Sequence, residues 1–99
     1  HALIQSPRRQ QILYSLSSIK LQLGKPEEAI RLLEQAMSDN PKIAESYWRL
    51  AFTYQSMGDN KKAREIIALA EENNIVFDTN GQRVVDAILA TSTPTDMKK

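Results

Sequence analysis

The chain has 99 residues, 41% hydrophobic and 25% charged, and thirteen Lys and Arg against twelve Asp and Glu leave a net charge of +1. A chain of this length forms one compact domain, and its near-neutrality excludes an overall field that would draw it to nucleic acid or an anionic membrane. The absence of cysteine excludes disulfides, thiolate catalysis and sulfur-ligated metals, and apolar runs of a few residues fall far short of the roughly 20 that span a bilayer.

The first predicted helix has Ser6 as N-cap and Pro7 at its first position. Ile12, Leu13, Leu16, Ile19 and Leu23 then recur at helical spacing until Gly24, which tolerates the left-handed conformation that ends a helix. Pro26 opens a second helix. Glu27 and Glu28 suit the positive end of its dipole, and Ala29, Ile30, Leu32, Leu33, Ala36 and Met37 form its apolar side until Asn40-Pro41. A third helix is predicted from about Ile43 to Met57, a turn at Gly58-Asp59-Asn60, and a fourth helix from about Lys61 to Glu72. After Asn73-Asn74, Asp78 or Thr79 can cap a fifth helix, in which Val84, Val85, Ile88 and Leu89 make a narrow apolar stripe beside Gln82, Arg83 and Asp86. From Thr91 nothing is available to bury, and residues 91–99 are expected to be a disordered tail.

These elements repeat. Leu16, Gly24, Ala29, Ala36 and Asn40 return as Leu50, Gly58, Ala63, Ala70 and Asn74, each displaced by 34 positions. Character returns as well, with Leu13 against Tyr47, Ser17 against Ala51, Leu23 against Met57, and Leu32-Leu33 against Ile66-Ile67. Small residues on facing helices, Ser17 or Ala51 opposite Ala29 or Ala63, let two antiparallel helices approach closely while larger neighbours fill the flanks.

With this period and these positions the chain resembles the tetratricopeptide repeat family. Tyr47, Leu50, Ala51, Tyr54, Ala63, Ile67 and Ala70 carry the likeness in the second unit, and Leu13, Leu16, Ser17, Ala29, Leu33, Ala36 and Pro41 in the first. Two positions depart: Lys20 stands where the family usually has Tyr, and Ile75 where it usually has Pro. The resemblance implies an all-α, right-handed stack of helical hairpins. Repeat 1 is expected at 7–42, repeat 2 at 43–77, and a capping helix at 78–90 whose Gly81, Val84, Val85 and Ile88 look like a degenerate third first-helix.

Chemistry finds few candidates. The sole histidine is His1, so no triad can be assembled, and metal-ligand spacings, a phosphate-cradling glycine loop and a dinucleotide fingerprint are missing. Glu27-Glu28 and Glu71-Glu72 point about 100° apart in pairs and read as solvated surface. Arg8-Arg9, Lys61-Lys62 and Lys98-Lys99 read likewise as scattered surface cations. No enzyme activity, cofactor or metal is expected, and no nucleic-acid partner or membrane insertion. The chain reads as soluble, its compartment open with the cytoplasm slightly favoured, and a start at His1 without Met fits a fragment or a processed chain.

In the resembled family the first helices of successive repeats line a concave groove that holds partner segments. On the helix from Ile43 to Met57, Glu45, Trp48, Phe52 and Gln55 form a face displaced by roughly 120° from the core side made by Tyr47, Leu50, Ala51 and Tyr54. The expected partner-binding residues are therefore Tyr14, Ser18, Gln22, Glu45, Trp48, Arg49, Phe52 and Gln55. Tyr14, Trp48 and Phe52 would make an aromatic floor, while Arg49, Gln55 and Gln22 would fix a partner's backbone or charge. The alternative is that Trp48 and Phe52 pack against neighbouring helices. Chaperone-binding members grip a terminal carboxylate with Lys and Asn on the first helix and basic residues on the third. Here Tyr14, Ser18, Arg49, Thr79 and Arg83 stand at those places, so the clamp is incomplete, which argues against heat-shock chaperone tails. The expected function is a protein-interaction scaffold that takes a protein or peptide. The alternatives are a spacer or homo-oligomerisation segment, or an accessory part of an enzyme whose catalytic portion lies elsewhere.

Overall fold

The computed structural model describes the backbone of residues 7–97 and the side chains of residues 9–90. Its elements are α1 (Pro7–Gln22), α2 (Pro26–Asp39), α3 (Ala44–Ser56), α4 (Asn60–Glu72) and α5 (Thr79–Met97), with no strand among the described residues. The proposed cap Ser6, like His1 and Lys98-Lys99, lies outside the described residues.

Local chemistry sets the helix ends. Gly24 and Gly58 adopt φ of +78° and +85°, and just beyond them the amides of Lys25 and Asp59 return to the carbonyls of Lys20 and Tyr54 at 2.8 and 2.9 Å. Both turns thus satisfy carbonyls that the last helical turn leaves open. Pro26 starts α2, where its missing N–H loses nothing, and no side chain caps that end. Asp59 caps α4 by accepting from the Lys62 amide at 3.1 Å, and Asp78 does the same for α5 with the Gly81 amide at 2.8 Å.

Helices α1 and α2 form one antiparallel hairpin and α3 and α4 a second; α2 packs on α3, and α5 closes the stack against α3 and α4. One core cluster gathers Leu13, Tyr14, Leu33, Ala36 and Leu50, and the other Ala51, Ala63, Ile67, Val85 and Ile88. Tyr54 and Ile66 touch both and join them into a continuous seam. Ala29, Ala36, Ala51, Ala63 and Ala70 are fully buried, as helices in close approach require.

The structure corrects two expectations. Of the five apolar residues that recur at helical spacing toward Gly24, the pattern from which a core side of α1 would be read, only Leu13 is buried, whereas Ile12, Leu16, Ile19 and Leu23 are exposed. Tyr14, Ser17 and Gln10 take the inner side instead, because α2 and α3 lie on that flank of the helix. The tail expected from residue 91 is helical as far as Met97. Extending an established helix adds about one hydrogen bond per residue fixed, so polar residues can continue it without a core of their own.

Candidate functional site

Helices α1, α3 and α5 lie side by side and enclose a cavity of about 220 Å³ lined by Ser18 and Leu21 from α1, Trp48, Arg49 and Phe52 from α3, and Val84 from α5. A second hollow of about 340 Å³ begins on the far side of Phe52, between Gln55 on α3 and Arg83, Val84 and Ala87 on α5. Phe52 and Val84 border both. The two hollows therefore form one groove with an apolar sill, of a size that accepts side chains of a polypeptide.

Tyr14 does not stand open in this groove. It is 2% exposed, its hydroxyl shares a 2.8 Å hydrogen bond with Ser46 Oγ and contacts Gln10 Oε1 at 3.3 Å, and burial pushes its phenol above the usual range against the opposing effect of the Ser46 bond. The Arg49 guanidinium covers its ring at 5.0 Å and that of Trp48 at 5.1 Å. Arg49 Nε also donates to Glu45 Oε2 at 2.7 Å, and Nη1 reaches Ser18 Oγ at 3.4 Å. Tyr14, Ser18, Glu45, Trp48 and Arg49 thus form one connected wall. Arg49 is held by Glu45 and the two rings, so it is a fixed part of the surface.

Trp48 belongs to core and groove together. It packs on the second core cluster, and its ring lies so close to α5 that a Cβ at Gly81 would come within 2.5 Å of Trp48 Cδ1. Only a glycine lets the indole sit between α3 and α5. Phe52 is different: 45% of it is exposed at the centre of the groove. Gln55 lines the second hollow, and Gln22 is exposed on α1 but borders neither cavity.

Sequence reasoning missed Val84, Arg83 and Ala87 as lining residues. Leu21, which lies one period before Gln55, was legible from the repeat and lines the first cavity. The residues from α5 could not be found that way, because the repeat pattern weakens there and the helix's rotation is set by Trp48 seated on Gly81.

None of the described helices is long and apolar enough to cross a membrane. Comparison with curated proteins and with solved structures gives no match. A family model described as tetratricopeptide repeat matches residues 2–74, which takes in both hairpins. Two successive helical hairpins whose glycine turns, buried alanines and apolar seams recur one period apart agree with that match. The chain belongs to the tetratricopeptide repeat family.

Proposed function

We propose that this chain is a non-catalytic scaffold that holds a segment of a partner protein in the groove across α1, α3 and α5. Tetratricopeptide repeats are generally protein-interaction motifs. The observation that carries the reading here is Phe52, a large aromatic residue left 45% exposed between two adjoining hollows. An apolar side chain of the partner would cover Phe52 and enter the cavity beside Leu21 and Val84, in the manner of an anchor residue filling a preformed pocket. The wall of Tyr14, Ser18, Glu45, Trp48 and Arg49 orients the surface around that anchor, and Gln55 offers its amide to the partner's backbone. A groove already ordered by packing loses little entropy on binding.

Phe52→Ala separates groove from core better than a change at Trp48, which also wedges α3 against α5. Peptides selected by display on the immobilised chain are expected to bind Phe52→Ala at least about tenfold more weakly, the loss of more than 1 kcal/mol typical of an interface anchor. The variant's thermal midpoint should stay within a few degrees of the wild type, as for a half-exposed side chain. Selected peptides that bind both forms equally would dismiss the groove as the binding surface.

A further inference from the structure

The outer side of α1 carries an apolar seam that no other described residue covers. Ile12, Leu16, Ile19 and Leu23 expose 52%, 41%, 48% and 61% of their surfaces. One period later, Ser46, Leu50 and Thr53 occupy the places of Ile12, Leu16 and Ile19 and are 0%, 1% and 1% exposed, sealed beneath the first hairpin. The same helix face is therefore an interface inside the stack and an open surface at its edge.

We infer that this seam is the contact between two copies of the chain, joined α1 to α1 in antiparallel orientation about a twofold axis. The four residues are separated by four, three and four positions, a spacing that reads the same in both directions. This is the alternation of a coiled-coil seam. Running two such helices against each other sets Ile12 against Leu23 of the partner copy and Leu16 against its Ile19. A twofold interface demands this reciprocity.

Charge permits the pairing. The Arg9 guanidinium is drawn to Asp39 and the Lys20 ammonium to Glu28 at 2.9 Å, both on α2, so these cations lean off the seam on one flank. On the other flank stand Gln11, Ser15 and Gln22, which carry no charge, and Arg8 at the start of the helix, which an antiparallel pairing places at opposite ends of the interface in the two copies. Two identical faces can then meet without like-charge repulsion.

Continuation of the stack by a copy fits less well. The surface equivalent to the one α2 presents to α3 lies on α4, where Ile67 and Ala70, the counterparts of Leu33 and Ala36, are already buried and α5 packs over the helix. A surface shaped for Ser46 and Thr53 would also be overfilled by Ile12 and Ile19. The four exposed side chains supply on the order of 400 Å² per copy, about half of a standard partner contribution, so the dimer is weak and concentration-dependent. Tyr14 and Leu21 lie on the opposite side of α1, which leaves the groove open in the dimer.

Sedimentation equilibrium on the full chain from about 10 µM to about 1 mM tests this, with the mass expected to climb from 11.2 kDa toward twice that value. Ile12→Lys alone and Leu23→Glu alone should each stay monomeric, and an equimolar mixture should regain the dimer, because a heterodimer sets the new Lys against the new Glu and keeps one Ile–Leu pair. Leu16→Lys with Ile19→Glu repeats the experiment at the inner pair. Circular dichroism verifies that each variant remains helical, and the more exposed outer pair serves if an inner variant loses its fold. A wild type that stays monomeric at the highest concentration overturns the proposal, as does a dimer indifferent to the single variants. A mixture that fails to recover the dimer overturns the antiparallel pairing.

Discussion

One period separates Lys20 and Glu28 from Tyr54 and Lys62, and the contact persists while its chemistry changes. In the first hairpin Lys20 Nζ meets Glu28 Oε1 at 2.9 Å; in the second, Lys62 Nζ lies 5.9 Å from the centre of the Tyr54 ring. The departure at Lys20 from the family's usual Tyr is thus matched by Glu28 where the second unit has a cation. Hydrogen bonding to Lys20 holds the Glu28 carboxyl below its ordinary range, and hydrogen bonding to Arg9, then to Gln35, does the same for Asp39. A carboxyl with a lowered folded-state pKa stabilises the fold above the ordinary carboxylate range, and that stabilisation is lost as pH falls through the folded-state value. Asp39→Asn should therefore lower the thermal midpoint modestly at pH 7, with the gap to the wild type closing as acid is added toward about pH 2. A gap unchanged across that titration would show that the Arg9–Asp39 pair does not clip α1 to α2.

Helix ends differ between the units more than helix faces do. Asn40 is extended at φ −151°, as the residue before Pro41 must avoid helical backbone, whereas its counterpart Asn74 sits in the left-handed region at φ 59°. What permits this is Ile75 in the place of the family's usual Pro: its amide donates to the Ala70 carbonyl at 2.9 Å and closes the end of α4. Ile75→Pro, though it moves the sequence toward the family pattern, removes that donor and crowds Asn74 out of its conformation. A loss of about 1–3 kcal/mol is expected in urea denaturation, and a neutral or stabilising result would show that the turn readily takes the other form. Packing within a hairpin is equally specific. Ala63 is fully buried beside Ala51, Ile67 and Val85, so Ala63→Leu should cost about 1–3 kcal/mol from overfilling. For a chain this small a loss of 1 kcal/mol lowers the thermal midpoint by about 4–8 °C, and an unmoved midpoint would mean that the helices are not in close contact there.

At the scale of the whole molecule, the hairpins and their turns were legible because Gly24, Gly58 and the buried alanines recur with the apolar spacing, and periodicity is a local property. The rotation of α1 was not. Ile12, Leu16, Ile19 and Leu23 satisfy helical spacing as well as Leu13, Tyr14 and Ser17 do, and only the position of α2 and α3 decides which set is buried. Tyr14 was expected at the groove surface for the same reason: its exposure is settled by Ser46 and Arg49, distant in sequence. In a stack each hairpin is held by its neighbours, so stability should vary with the number of covered faces. Helix α3 is packed by α2, α4 and α5, while α1 leans chiefly on α2 and shows an apolar seam to water. Amide hydrogen exchange at low micromolar concentration should therefore find α1 opening at least about tenfold more readily than α3, a sub-global event with a smaller free energy than complete unfolding. Raising the concentration should slow exchange in α1 alone if two copies cover that seam, since association stabilises only the state that buries it. Equal protection in α1 and α3 under dilute conditions would mean that the hairpins unfold as one unit, and that the open face of α1 does not weaken its hold on the stack.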